Sequence, residues 1–416
     1  MKYINVKILL LLKKREMIII KQKIMILGAS ELQVPAIKCA NNLGLETIVL
    51  DYDINAVGKK YASKFYNIST LDYEQVLSVA KKEAINGIIT ICSDRPMPII
   101  AKVGEQLNLR TISYNTAMKA TDKGLMRDAL KEHNVPIPRY YKCVNKVDFL
   151  EAIDSIGTKC IIKPSNNSGS RGIYLYNGHE NLDDIYKYSS SYSTNHCVLV
   201  EEYMNGPEVS VEVIVHEEKI NIIQITDKIT TGNPYFVEMG HTQPSSLSSD
   251  IKKEIIQITK GAINALGIKN GPAHVEIKVT SQGPKIVEVG ARLGGDHITT
   301  DLVPLSTGFN MVDATIKISL GIEPDFNNIT SKNAIIRYFN SNSGYLKKIK
   351  NLDKAKKIEN VVEITILKNI NDYVDEITNS NERLGYVIIQ SNSLEDSIYT
   401  FEKVIDTLDI EIEDKI

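Results

Sequence analysis

Cys160-Ile161-Ile162-Lys163-Pro164-Ser165-Asn166-Asn167-Ser168-Gly169-Ser170-Arg171-Gly172 is the stretch on which the reading of this chain turns. It opens as a short apolar run that delivers a lysine, which predicts a strand. It continues as a loop of small residues. Successive backbone N–H groups of such a loop can converge on an anion, and a lysine beside it adds a point charge. It is not a Walker A loop, because GxxxxGK[ST] occurs nowhere in the chain. Taken alone, the stretch reads either as a phosphate cradle or as an ordinary turn.

Downstream lies Cys197-Val198-Leu199-Val200-Glu201-Glu202-Tyr203, followed by Asn205-Gly206-Pro207-Glu208. An apolar strand that ends in acids could serve an amino group and ribose hydroxyls, or be an exposed turn. From Glu208 to Thr226 the alternation predicts antiparallel strands. Glu238 and His241, three apart beside Gly240 and Pro244, can contact a substrate or lie on the surface. The most informative pair is Glu276 in HVEIKV and Glu288 in KIVEVG, two strand-like runs joined at Ser281 to Pro284. If the runs pair, both carboxylates face one cavity, and paired carboxylates near phosphates are how Mg²⁺ is held. The plainer alternative is a solvated sheet face. Arg292 follows four residues after Glu288, where a forked guanidinium could hold an oxyanion. Asp296 reads as a helix N-cap, or as a residue favouring a substrate with an ammonium group.

Upstream, Lys23 to Gly28, Thr47 to Leu50 and Gly87 to Cys92 read as strands, with helices at Pro35 to Leu43 and Tyr73 to Ala84. Alternating strand and helix predicts a parallel sheet, with Gly28, Asp51 and Asp94 on its ligand-binding rim. Gly28 opens no complete GxGxxG, so a dinucleotide site is unsupported. The apolar run Ile8 to Leu12 is too short for a signal-peptide core or a membrane span, so residues 1–22 are read as an N-terminal extension and the location as cytoplasmic.

Composition narrows the classes. A 416-residue chain with 43% hydrophobic and 24% charged residues is globular rather than disordered. Its 49 basic and 51 acidic residues nearly cancel, which gives no sign of a nucleic-acid or membrane partner. Five scattered cysteines with no CxxC pair argue against a zinc knuckle or a disulfide framework.

In order and spacing, DKGLMR at 122–127, the 161–172 loop, VEEYMNGPEVSVE, HVEIKV and IVEVGARLGGD resemble the ATP-grasp superfamily. The resemblance implies an α/β fold: a parallel pre-ATP-grasp domain (23–112), a small lobe carrying the phosphate loop (113–200), a large lobe with the metal site (201–324) and a C-terminal α+β domain (325–416). It implies ATP as nucleotide, with Lys123 and Lys163 on its phosphates, the loop with Ser168, Gly169 and Ser170 over them, and Glu201, Glu202, Tyr203 and Glu208 around adenine and ribose. Glu276 and Glu288 would bind Mg²⁺ or Mn²⁺, and Arg292 would stabilise the transferred phosphoryl group. Many members carry Asn where this chain has Gly290. That departure, the Glu238–His241 spacing and the tail NERLGYVII are similar to the L-amino acid ligases. The function this implies is a carboxylate–amine ligase acting on small molecules, amino acids among them, through an acyl-phosphate. A homodimer is common among such relatives. The alternatives are a purine-pathway ligase or carboxylase, and a non-catalytic ATP-binding sensor.

Overall fold

The computed structural model describes residues 21–166, 171–327, 330–340 and 342–413. Most of the N-terminal extension, and Ser168, Gly169 and Ser170, lie outside the described residues. Four parallel strands form the first layer, in the order Lys64–Asn67, Glu46–Asp51, Lys23–Leu27, Gly87–Ile89. Ile24 to Leu27 are fully buried, as an inner parallel strand covered on both faces must be. Strand Lys64–Asn67 was not foreseen: it is a partly exposed edge and has no apolar run to read. At the rim Gly28 adopts φ +107°, and Asp51 Oδ2 accepts the Ala29 N–H at 2.6 Å. Asp51 is thereby engaged in shaping that turn, while Asp94 faces the rest of the molecule.

A four-stranded antiparallel sheet follows, in the order Tyr140–Cys143, Val198–Glu202, Cys160–Pro164, Tyr174–Tyr176. Helices Lys146–Ile156 and Leu182–Ser191 cover it, each started by an Asn side chain that accepts a first-turn N–H. Phe149, Ile162, Val198 and Val200 form its own small core. Because strand Val198–Glu202 is central here, Glu201 is carried to the seam with the next sheet.

The largest sheet has eight antiparallel strands: Gly283–Gly290, Gly271–Thr280, Glu208–His216, Lys219–Thr230, Glu238–Gln243, Asn333–Tyr338, Gly385–Ser391 and Val361–Ile366. Glu217 and Glu218, at φ +49° and +66°, make the two-residue turn that sets the register of the hairpin before and after them. Helix Ser249–Leu266 packs its apolar face on this sheet, capped by Ser248 and stopped by Gly267 at φ +76°. The sheet runs on across residue 325, so the C-terminal region supplies three of its strands. A smaller sheet of Tyr373–Val374, Gly344–Lys350 and Asp409–Glu413 completes that region. Among the described residues, no helix is long and apolar enough to cross a membrane.

Candidate active site

The seam between the two antiparallel sheets gathers most of the residues singled out from the sequence. Lys163 stands near the end of its strand with 4% exposure, its Nζ 2.8 Å from Glu201 Oε2. Arg127, fully buried, grips the same carboxylate through Nε at 2.7 Å and Nη2 at 3.1 Å. Burial opposes the charge on Glu201, but Arg127 and Lys163 outweigh it and hold the carboxyl at about 2. Burial, with Arg127 and Lys123 nearby, pushes Lys163 down against the pull of Glu201, and Arg127 is the larger of the two charges that keep Glu201 ionised. The Glu201 carboxylate, expected beside adenine and ribose, is joined in the structure to Arg127 and Lys163. Glu202 is similarly engaged by Arg139 at 3.1 Å and by Lys285, and the Tyr203 ring lies 4.0 Å from Lys159 Nζ.

Lys123 opens helix Lys123–Glu132 behind the Asp122 cap. Its backbone N–H donates to the Ser165 carbonyl at 2.7 Å, which ties it to the start of the small-residue loop. Its Nζ is 3.0 Å from Glu288 Oε1. Glu276 and Glu288 are direct partners across the paired strands, with a bulge immediately after Glu276. Opposed residues of an antiparallel pair share a face, so the two side chains project from the same face of the sheet. Burial opposes the charge of Glu276, but Lys228 and His274 hold it well below the usual carboxylate range. Two oxygen donors, about one quarter exposed, suit a hard divalent cation that keeps water and phosphate oxygens as its other ligands.

Lys228 organises the next part of the site and was not foreseen. Its Nζ lies 2.6 Å from Glu238, 2.9 Å from Glu208 and 3.1 Å from Glu276. Burial disfavours its charge, yet the three carboxylates raise its affinity for the proton well above that of a free lysine. Nothing local in Thr226-Asp227-Lys228-Ile229 marks it, but it pairs directly with His241 across the strands. Glu208 therefore meets Lys228 and Lys278 (3.2 Å) rather than standing free at a turn.

Beyond Lys228 lie Glu238, His241 and Asp296, whose ligand atoms fall within 4.8 Å of one another. His241 is fully buried, its ring nitrogens have no hydrogen-bond partner among the described residues although Nε2 lies 3.6 Å from Glu238 Oε2, and burial lowers its pKa to about 3. It is therefore a neutral imidazole with both nitrogens available. Glu238 is raised to about 7 by burial, with the nearby carboxylates of Asp296 and Glu276 adding to it against Lys228. Glu238 and Asp296 bear on each other in opposite senses: Asp296 helps to raise Glu238, while Arg383 holds Asp296 well below the usual carboxylate range against burial. Asp296 is not an N-cap. It sits at φ +48°, and the π-helical turn Ile298–Leu302 is preceded by His297, which caps nothing with its side chain. Its carboxylate is turned to Arg383, a residue sequence reasoning missed because it lies 87 positions away.

Arg292 forks onto Asp94, in the loop after strand Gly87–Ile89, at 2.9 and 3.1 Å, and this pair keeps its charge against burial. Gly290 lies tight against the fork. A Cβ there would lie 3.2 Å from the Arg292 guanidinium carbon and 3.3 Å from Asp94 Oδ1. The missing side chain at 290 is thus space occupied by the Arg292–Asp94 pair. Behind it, His274 contacts both oxygens of Glu212 at 3.0 Å; burial opposes its charge, but Glu212 raises it to about 9.

Comparison with known proteins matches residues 156–301 to the ATP-grasp domain and residues 337–413 to the L-amino acid ligase C-terminal domain 2. Alanine–anticapsin ligase of Bacillus subtilis strain 168 is 29% identical over 245 residues, 53% of this chain and 51% of that protein. The chain thus matches about half the length of that relative. A formate-dependent phosphoribosylglycinamide formyltransferase of Saccharolobus solfataricus is 25% identical over 92% of this chain and 95% of its own. The crystal structure of an L-amino acid ligase from Bacillus licheniformis superposes with a TM-score of 0.80 at 20% identity, covering 94% of this chain and 99% of that one. At that identity the likeness is one of fold.

Proposed function

Because this chain belongs to the ATP-grasp superfamily, we propose that it is an ADP-forming carboxylate–amine ligase whose substrates are amino acids, at work in the cytoplasm. The observation that carries the reading is the continuity of one site. Lys228 touches Glu276, one of the opposed pair suited to a metal, and also Glu238, in the pocket with His241 and Asp296. A phosphoryl-transfer centre and a small polar pocket are thereby one residue apart, as an acyl-phosphate route requires.

In this reading Lys123 and Lys163 hold the phosphate chain of ATP. Magnesium or manganese, bound by Glu276 and Glu288, would neutralise the phosphate oxygens during transfer. A substrate carboxylate oxygen attacks the γ-phosphorus, the bond from that phosphorus to ADP breaks, and an acyl-phosphate forms. The amine nitrogen of the second substrate attacks the acyl carbon, the bond to phosphate breaks, and a proton leaves the nitrogen. Arg292, kept charged by Asp94, stabilises the oxygens of the transferred group. The neutral His241 orients the substrates, and Glu238, poised near neutrality, can accept the departing proton.

The purine-pathway reading is favoured by the coverage of the formyltransferase relative. A ribose-phosphate pocket needs uncommitted cations, however, and the cations that line this pocket, Lys228 and Arg383, stand on carboxylates. A phosphate-release screen over pairs of amino acids, with mass spectrometry of the products, tests the ligase reading. ADP release driven by purine intermediates and by no amino-acid pair would replace it.

A further inference from the structure

The C-terminal region returns one side chain to the acid-lined end of the cleft. Arg383 follows the short turn Ser380–Glu382 and is 6% exposed. Its Nη1 and Nη2 donate to Asp296 Oδ2 and Oδ1 at 2.8 and 3.0 Å. Nη1 also donates to the Glu238 carbonyl at 3.2 Å, and Nε to the Ser380 carbonyl at 2.9 Å. The Tyr338 ring lies 3.7 Å from the guanidinium carbon, close enough for a cation–π contact. Held on so many sides, this guanidinium is part of the pocket wall rather than a mobile surface charge.

The charges around Asp296 make the arrangement informative. Lys228 and Lys278 share Glu208, Lys228 and His274 share Glu276, Lys228 also meets Glu238, and Arg383 answers Asp296; His241 between them is neutral. Asp296 is placed there by two successive non-glycine residues at positive φ, Asp296 and His297, a backbone that persists only where surrounding contacts fix it. A divalent ion on Glu238, His241 and Asp296 would stand against two fixed cations, Lys228 and Arg383. A side chain carrying its own positive charge would meet the same opposition from Arg383, which already takes both oxygens of Asp296.

We propose that Arg383 sets the charge specificity of the substrate pocket: by engaging Asp296 it reserves the pocket for amino acids with uncharged side chains, and Asp296 released from it would accept an ammonium or guanidinium. The inference rests on the carboxylate–amine reading, since it takes an amino acid to bind beside Glu238 and His241. Arg383 acts through Asp296 and is a positioning residue.

The test uses near-isosteric pairs that differ in charge, L-lysine against L-norleucine and L-arginine against L-citrulline, with kcat/KM read from ADP release. Wild-type protein is expected to favour the uncharged member by about tenfold or more, and Arg383→Met to move each ratio toward the cation by about tenfold, because a buried carboxylate without its partner recruits another. Arg383→Lys, which retains the charge, should keep the wild-type order. Asp296→Asn, which leaves Arg383 unpaired, should instead raise the use of L-glutamate relative to L-glutamine. Wild-type protein that uses lysine as well as norleucine overturns the inference, and so does folded Arg383→Met protein with unchanged ratios. If Arg383→Met does not fold, the wild-type ratios and Asp296→Asn still decide. Absence of ADP release with every pair defeats the ligase reading instead. The pocket is then judged by calorimetric dissociation constants for lysine and norleucine, and equal values for the wild-type protein overturn the inference.

Discussion

Glu201→Gln preserves volume and removes one charge where three charged side chains meet away from water. In the wild-type protein the carboxylate is held at about 2 against an ordinary 4.5. That difference corresponds to about 3 kcal/mol of stability at neutral pH, since each pKa unit is worth roughly 1.4 kcal/mol. Breaking a buried ion pair by removing one partner costs about 3–5 kcal/mol in general, which agrees. The sign follows from the depressed value. The contribution is complete above pH 4.5 and is lost as the pH falls through about 2. Urea unfolding followed by far-ultraviolet circular dichroism should therefore show the variant weaker by about 3 kcal/mol near neutrality, with the gap narrowing to about 1 kcal/mol near pH 3. A variant within about 1 kcal/mol of wild type at neutral pH would refute the claim that Arg127 and Lys163 depend on this carboxylate. A gap that stays constant down to pH 3 would refute it equally.

Glu288→Ala and Arg292→Ala should each lower ADP release by roughly 10²–10³ while circular dichroism stays unchanged; near-normal release by folded Glu288→Ala protein would defeat the metal assignment. Gly290→Asn should destabilise the protein by about 1–3 kcal/mol without raising turnover, because its side chain displaces Arg292 from Asp94; thermal unfolding and steady-state rates check both parts. Nuclear magnetic resonance of the histidine rings should show His274 titrating near pH 9 and His241 silent between pH 5 and 8. The two act oppositely on stability. The His274 contribution is full below pH 6.5 and is lost as the pH rises through about 9, whereas that of His241 is full above pH 6.5 and declines as the pH falls toward about 3. His274→Gln should accordingly remove the alkaline loss from the stability profile.

What the sequence discloses about this site is what neighbours along the chain can disclose. Glu276 and Glu288 lie in two strand-like runs joined by one tight turn, so the sequence shows that the runs pair, but the bulge after Glu276 that makes the two acids direct partners leaves no mark in it. Lys163 is legible because a strand ends there, whereas Lys123 is reached only through the family resemblance of DKGLMR. The ion pairs that give these residues their chemistry are another matter. Arg127 meets Glu201 across 74 positions and Asp94 meets Arg292 across 198. Such partners share no local pattern, so nothing along the chain links them before it folds. Asp296 misleads for the same reason: an acid ahead of a helical turn looks like a cap until a distant arginine claims it.

Strand Glu238–Gln243, which carries Glu238 and His241, lies between Lys219–Thr230 and Asn333–Tyr338 in the eight-stranded sheet. The tail is therefore no detachable appendage. Severing the chain after residue 324 would bare that strand's outer row of amide and carbonyl groups, which invites intermolecular stacking into aggregates. It would also strip Arg383 from the pocket in the same cut. Any exchange of tails between relatives, by recombination or by design, would consequently transplant a piece of substrate selectivity together with the scaffold that shields the reactive strand.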